Sequence, residues 1–380
     1  MASFPRLLEI AKVFLKLGTI SVGGPAAHIA LMDDELVVRR RWLSREDFID
    51  LLGATNLIPG PNSTEMAISL GFMRGGWGGW IIAGMAFILP ATLITAVCAW
   101  LYVQTGVLPQ AARWWFGVYP ATIVVIALAA WRLTRSAVKR VQQAIIGVAV
   151  ALAALLGVNE IAALFLGGGI GMLWLRRARP KGASRIASVM LVLSCAGTVL
   201  LAAGVASGMA VTLWDIAVVF LKVGSVLYGS GYVLIAFLEG ALVRDRGWLT
   251  ERQLLDAIAV GQFTPGPVLS TATFIGYLLA GIPGAVVATI GIFLPSFIFV
   301  GCLQAILPRI RKGAWTAAFL DAINVAAIGL MVAVTIRLSS NLRDWRQWLI
   351  VIALSVVGIR WKPHAGWLIV GGAVVGALLF

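Results

Sequence analysis

The chain carries little charge for its length. Of its 380 residues only 12% are Asp, Glu, Lys or Arg, and 60% are hydrophobic, whereas a soluble domain has about 25% charged and about 45–50% apolar residues. So few charged side chains do not cover a water-soluble globule, and such hydrophobicity excludes a disordered chain. One uncharged run, 257–308, is long enough for two helical spans. The composition predicts an all-α polytopic membrane protein.

Residue patterns for metal, redox or nucleotide chemistry are also scarce. Cys98, Cys195 and Cys302 are scattered and the two histidines are far apart, so no zinc, haem or disulfide spacing exists. The absence of a Walker-type loop excludes an ATP-driven pump on this chain, and no hydrolase motif is present. We therefore expect no enzyme activity, no cofactor and no metal.

Acidic residues are outnumbered, which gives a formal net charge of +14. Cationic loops orient helical membrane proteins and contact anionic lipids. The excess therefore indicates a lipid bilayer as partner and not nucleic acid. A second interpretation assigns some of these cations to an anionic substrate.

The most informative pattern is an internal repeat. Phe14-Leu15-Lys16-Leu17-Gly18 aligns with Phe220-Leu221-Lys222-Val223-Gly224 at an offset of 206 residues, and Pro59-Gly60-Pro61 aligns with Pro265-Gly266-Pro267. One residue then drops out, and the offset becomes 205. We expect the two halves to share one fold.

The repeat sets the expected domain boundaries at 1–175 for the first repeat and 211–380 for the second. The segment 176–210 is a basic linker followed by one extra apolar helix. If each repeat crosses the membrane an even number of times, this extra crossing inverts the second repeat; with an odd number, the repeats are parallel. Inverted repeats are common in secondary transporters, with the substrate site where they meet. About 11–13 spans are expected in total.

The two Pro-Gly-Pro motifs predict breaks in the helices. We interpret 44–75 and 250–280 as pairs of short helices that meet at the motif and form a broken or re-entrant element. A helix that starts there has free amides and a positive dipole end, which suit an anion. The alternative is a tight turn at the membrane surface with ordinary N-cap hydroxyls. The helix-break residues are Pro59, Gly60, Pro61, Pro265, Gly266 and Pro267.

Two lysines, Lys16 and Lys222, occupy equivalent positions inside apolar segments. A charge inside the bilayer is costly, so such residues usually face the protein interior, and two related ammonium groups suit a dianion. The alternative is that each lysine snorkels to the interface. The candidate substrate-binding residues are Lys16, Ser21, Gly23, Gly24, Asn56, Asn62, Ser63, Lys222, Gly229, Gly231, Gln262 and Ser270.

Four side chains are candidates for proton coupling: His28, Asp50, Glu65 and Asp256. Ionisable groups at membrane depth often relay protons. The alternative for each is a capping or interfacial partner of a nearby arginine.

The motifs together resemble those of the chromate ion transporter family. They are Ser21-Val22-Gly23-Gly24-Pro25, Leu57-Ile58-Pro59-Gly60-Pro61-Asn62-Ser63 and Val260-Gly261-Gln262-Phe263-Thr264-Pro265-Gly266-Pro267. The resemblance implies a multi-pass protein of a prokaryotic inner membrane that exports chromate, confers chromate resistance and has two halves of opposed orientation. His28 aligns with Leu234, so we expect an asymmetric site with the coupling chemistry in the first half.

The leading hypothesis is chromate efflux driven by the proton gradient or the membrane potential. Chromate is a tetrahedral dianion shaped like sulfate, so sulfate is an expected competitor. The alternatives are a broader carrier of sulfate-like oxyanions and a non-transporting membrane receptor or scaffold. A homodimer is a further expectation.

Overall fold

A computed structural model describes most of the chain. It covers residues 4–21, 25–105, 109–176, 211–228, 233–306, 314–361, 363 and 365–379. Four of the predicted binding residues (Gly23, Gly24, Gly229 and Gly231) and most of the expected extra helix lie outside these residues.

The described residues form fourteen α-helices and no strand. Short π-helical turns at Asp33–Arg39 and Glu239–Arg244 and a 3-10 turn at Val268–Ser270 complete the regular structure. The helices are α1 Phe4–Ile20, α2 Pro25–Met32, α3 Arg45–Thr55, α4 Asn62–Thr105, α5 Pro109–Ala137, α6 Val141–Leu155, α7 Glu160–Arg176, α8 Leu213–Val226, α9 Leu234–Leu238, α10 Glu251–Phe263, α11 Thr271–Ile306, α12 Ala314–Ser340, α13 Trp345–Arg360 and α14 Ala365–Leu379.

Four helical ranges of the described chain are long and apolar enough to cross a membrane. Their outer faces are apolar as well: on α4 the side chains of Trp77, Ile81 and Met85, four residues apart, are 59%, 51% and 56% exposed. A continuous exposed apolar stripe is unfavourable in water and suits contact with lipid. The prediction of an all-α membrane protein is confirmed. The four ranges are Asn62–Thr105, Phe116–Arg135, Val268–Leu303 and Ala318–Ser340.

Helices α4 and α11 each reverse direction within their length. Gly76 and Gly281 have φ angles of 59° and 61°, which are open to glycine and unfavourable for other residues. A Cβ atom at Gly71 would lie 3.1 Å from the carbonyl carbon of Gly79, although eight residues of straight helix span about 12 Å. The chain therefore folds back at Gly76, so that 62–75 packs against 77–105, and Gly276 meets the Gly284 backbone in the same way.

The chain divides into two compact units, and each of them draws on both repeats. The first unit consists of described residues within 1–99, 193–231 and 264–311 and contains both Pro-Gly-Pro motifs. Phe14, Leu17 and Phe87 belong to the fully buried core of this unit. The second unit consists of described residues within 100–192, 232–263 and 312–380.

Candidate functional site

Each Pro-Gly-Pro motif lies where one helix has ended and the next has not yet begun. In the first repeat α3 ends at Thr55 and α4 begins at Asn62. In the second repeat α10 ends at Phe263, and the 3-10 turn that precedes α11 begins at Val268. The central glycines have φ angles of 142° and 97°, and the prolines on each side have no amide donor. We refer to 56–61 as the first break and to 264–267 as the second break.

Each break donates a backbone hydrogen bond to the other repeat, and the two hydrogen bonds join equivalent residues. The Gly60 amide donates to the Leu227 carbonyl at 2.6 Å, and the Gly266 amide donates to the Ser21 carbonyl at 2.7 Å. Gly60 aligns with Gly266, and Ser21 aligns with Leu227, both at the offset of 206 residues. A contact in which equivalent residues exchange partners is the signature of a two-fold relation. The repeats therefore interlock at the breaks within the first unit.

The breaks also pack against equivalent points of the long helices. A Cβ atom at Gly60 would lie 2.7 Å from Ser296 Oγ on α11, and one at Gly266 would lie 2.8 Å from the Ala91 methyl on α4. Ser296 and Ala91 align at the offset of 205, and each follows the proline inside its helix. At Gly60 the Glu65 carboxyl also occupies this space. Any side chain at Gly60 would collide with two polar groups.

Buried polar atoms without partners concentrate beside the first break. Glu65 is 0% exposed, and neither of its carboxyl oxygens has a hydrogen-bond partner in the described part of the chain. The hydroxyls of Thr64, Ser69 and Ser296 are buried and unpartnered in the same way. Since more than 90% of buried polar groups in proteins are hydrogen-bonded, this cluster is suited to a polar ligand or a proton. Ser63 is buried next to it, at the start of α4.

The second break carries fewer unpartnered groups. The hydroxyls of Ser21 and Ser270 are fully buried and have no hydrogen-bond partner among the described residues. The groups nearest to a Cβ at Gly266 are the Ala91 side chain and the Gly18 carbonyl oxygen, the latter at 3.2 Å. This break thus offers hydroxyls and backbone but no carboxyl.

Side-chain amides bridge the first break. Thr55 Oγ1 donates to Asn62 Oδ1 at 2.7 Å, and Asn62 Nδ2 donates to Asn56 Oδ1 at 2.6 Å. The chain ends on each side of the break are therefore fixed together, and Asn56 and Asn62 bind each other. Gln262, the counterpart of Asn56, is buried in the second unit, and its Nε2 has no hydrogen-bond partner among the described residues.

The two equivalent lysines have different surroundings. Lys16 Nζ lies 2.8 Å from Glu35 Oε2, and Arg40 Nε lies 2.8 Å from Glu35 Oε1. The hydrogen bonds from Lys16 and then Arg40 hold the pKa of the Glu35 carboxyl below its ordinary value. Lys222 is half-buried and makes no ion pair with a described residue, since Ala241 replaces Glu35 in the second repeat. Of the two, only Lys222 therefore has an ammonium group free to meet an anion.

The four proton-coupling candidates lie in four different environments. His28 is buried edge-on to Phe87, at 5.8 Å between ring centroids, and Asp50 is exposed. Asp256, in the second unit, is 1% exposed and accepts a hydrogen bond of 2.8 Å from Tyr102. Burial raises the pKa of Asp256 to about 7, against the lowering effect of that hydrogen bond. Glu65 alone of the four lies at a break.

Ser296 and one ionic cluster were missed by the sequence reasoning. The sequence contained a signal for Ser296, because serine follows the proline inside the long helix of the second repeat, whereas alanine follows the equivalent proline in the first repeat. The cluster, in the second unit, joins the Glu160 carboxylate to Arg244 at 2.6 and 2.9 Å, and Arg337 bridges Glu160 and Glu239 at 3.6 and 3.3 Å. The repeat gives no hint of it, since Arg244 aligns with Val38.

Taken together, the fold and the site define a helical, multi-pass membrane protein made of two related halves that meet at paired helix breaks. The chain matches the family described as "Chromate transporter" over residues 8–172 and 214–377, one match in each half. The chain therefore belongs to the chromate transporter family.

Curated relatives agree over nearly the full length. The chain is 34% identical to the "Chromate transport protein" of Cupriavidus metallidurans, over 98% of this chain and 93% of the relative. It is 33% identical to the "Probable chromate transport protein" of Synechococcus elongatus, over 92% and 89% of the two chains, and 33% identical to the "Chromate transport protein" of Pseudomonas aeruginosa, over 89% and 81%. No solved structure matches the chain.

Proposed function

We propose that this protein is a secondary transporter that exports chromate across the inner membrane of a prokaryotic cell and thereby confers resistance to it. The observation that carries the proposal is the match of both halves to the chromate transporter family, with curated chromate transport proteins similar over nearly the whole length. A transport role also fits an apolar-faced helical protein whose buried, unpartnered polar groups lie beside its helix breaks.

The proposed substrate site is the pair of breaks in the first unit. Chromate offers four oxygen acceptors and two negative charges, so it needs donors and positive potential. The first turn of α4 supplies the positive end of a helix dipole and the Asn62 and Ser63 amides, which make no hydrogen bond with a described residue. Ser296 adds a hydroxyl beside the first break, Ser21 and Ser270 add hydroxyls beside the second, and Lys222 adds a cation. Oxygen-rich anions are bound in this way without a metal.

The repeats are proposed to be inverted and the breaks re-entrant. The helix 62–75 is about 21 Å long at 1.5 Å per residue, which is shorter than the hydrocarbon core of about 30 Å. Because 62–75 is too short to cross the core, we propose that α3 and 62–75 meet at the first break inside the membrane and that the chain enters and leaves on the same side. Irregular backbone at such a depth is tolerated where it is buried or lines a cavity. The two-fold exchange between Gly60 and Gly266 is compatible with inverted repeats, whose two-fold axis lies in the membrane plane.

Transport by the purified full chain in proteoliposomes tests the function. We expect radiolabelled chromate to accumulate when the membrane potential is positive inside, and an ionophore that collapses the potential to abolish the accumulation. Protein-free liposomes are the control. Accumulation that does not exceed this control would contradict transport and favour a receptor or scaffold. Full competition by excess sulfate would instead indicate a broader oxyanion carrier.

A further inference from the structure

The Glu65 carboxyl is an unusual group in an anion site. It is 0% exposed, has no hydrogen-bond partner among the described residues, and lies where a Cβ of Gly60 would be. An ionised carboxylate in such a place is strongly disfavoured, since burial removes water and nothing replaces it. The positive end of the α4 dipole offsets only a small part of this cost.

No cation of the described chain compensates Glu65. The elements around the first break carry other titratable groups, but none of them makes a hydrogen bond to its carboxyl in the described part of the chain. These groups are Arg45, Glu46, Asp47 and Asp50 on α3, Arg74, Cys98 and Tyr102 on α4, Asp215 and Lys222 on α8, and Tyr277 and Cys302 on α11.

We propose that Glu65 is the proton carrier of this transporter and that one proton travels with each chromate ion in the same direction. The inference rests on the proposed function. Glu65 shares the first break with the amides at the start of α4 and with Ser296 Oγ, so the carboxyl and a bound oxyanion are neighbours. A carboxylate there repels a dianion, whereas the neutral acid adds an O–H donor. Proton binding and chromate binding therefore strengthen each other.

This linkage fixes the direction and the charge of transport. The proton binds to Glu65 on the side where chromate binds, and it leaves on the other side when the opened site readmits water. One dianion with one proton moves a single negative charge, so the membrane potential still drives export. A carrier without a titratable group at this place moves both negative charges, and a pH gradient does not drive it.

The test compares the wild type with Glu65→Gln in proteoliposomes of the full chain that contain a trapped pH dye. A pH gradient is imposed, acidic outside, and the membrane potential is clamped at zero. Under these conditions wild-type vesicles should accumulate chromate, and their lumen should become more acidic. Glu65→Gln, a mimic of the neutral acid, should lose both effects and keep potential-driven uptake and chromate exchange. At pH values where the unliganded carboxyl is ionised, the wild type's chromate Kd should rise about tenfold per pH unit, and Glu65→Gln should lose this dependence. Both proteins meet the same solution chemistry of chromate, so their difference isolates Glu65.

The possible outcomes distinguish the proposed transport function from the proposed role of Glu65 as proton carrier. Wild-type vesicles that show neither exchange nor potential-driven uptake would contradict the proposed function itself. If the wild type transports and Glu65→Gln retains pH-driven accumulation, or is monodisperse yet inactive in exchange, the carrier role of Glu65 is wrong. Glu65→Asp, which keeps a carboxyl, should retain pH-driven accumulation, and its loss in a folded protein would also overturn the role. Asp50→Asn is the matched control and should behave as wild type.

Discussion

The two breaks have equivalent backbone contacts, but different side chains surround them. In both, a glycine between two prolines donates its amide to the residue just after the first helix of the other repeat. At the first break this glycine faces Glu65 and Ser296, whereas at the second it faces Ala91 and a backbone carbonyl. Duplication thus preserved the geometry while the chemistry diverged. One break is suited to bind and couple, and the other to complete the scaffold and add hydroxyls.

The largest effect is expected at the glycine of the first break. Gly60→Ala places a methyl 2.7 Å from Ser296 Oγ, in a backbone conformation with φ of 142°, and strain of this kind costs about 1–3 kcal/mol. We expect chromate uptake to fall at least about 100-fold, because a displacement of about 1 Å at a site commonly has that effect. Gly53→Ala, which meets no atom within 4 Å, is the control. Gly60→Ala with wild-type uptake would contradict the importance of the break.

The next largest difference is expected between the effects of substituting the two lysines on chromate binding. Lys222→Ala removes an ammonium group that pairs with no described carboxylate, and hydrogen bonds to charged groups are worth about 1.5–3 kcal/mol, so chromate Kd should rise about tenfold or more. Lys16→Ala breaks an ion pair whose lysine is 49% exposed, which costs at most about 1 kcal/mol of stability, and chromate Kd should stay within about threefold. Equilibrium binding to the purified variants measures both. Equal effects would restore the symmetric pair of cations expected from the sequence.

Exchange of the residues after the helix prolines should have a smaller effect. Ser296→Ala removes one hydroxyl from the first break, and we expect chromate Kd to rise about fivefold, which is within the range for one hydrogen bond. Ala91→Ser makes the second break more like the first, and we expect Kd to change less than about twofold. If Ala91→Ser restored tight binding to Ser296→Ala, the two breaks would be interchangeable and their proposed division of roles wrong.

The smallest effect concerns Asp256 and its dependence on pH. Its pKa is about 7 in the folded protein, above the ordinary 3.8, so folding favours the protonated acid. The stability that this group contributes is therefore present at low pH and is lost as the pH rises from about 4 to about 7. Asp256→Asn, which keeps an acceptor for Tyr102, should flatten this part of the dependence of Tm on pH. Parallel curves for wild type and variant would contradict the assignment.

The sequence was sufficient for the helical class and for the pairing of the two breaks, because that information follows from residue order alone. Apolar run length predicts helices such as Val141–Leu155 and Trp345–Arg360, and the alignment of Pro59-Gly60-Pro61 with Pro265-Gly266-Pro267 pairs the breaks from residue order alone. The hydrogen bond between Gly60 and Leu227 could not be predicted from the sequence, because it depends on how the two repeats pack together.

The sequence did not reveal which of the charged side chains already bind a partner within the protein. Lys16 and Lys222 look alike in the alignment, and only the packing shows that Glu35 binds Lys16, while Ala241 stands in its place in the second repeat. Glu65 was one of four equal candidates until its burial beside Gly60 set it apart. A residue's type sets its possible chemistry, but its neighbours decide whether that chemistry is already used.

Equilibrium binding of radiolabelled chromate to the purified full chain tests the central claim most directly. We predict saturable binding that Gly60→Ala abolishes, Lys222→Ala weakens about tenfold and Gly53→Ala leaves unchanged. Tight binding that survives Gly60→Ala and Lys222→Ala together, in monodisperse protein, would show that the breaks do not form the chromate site.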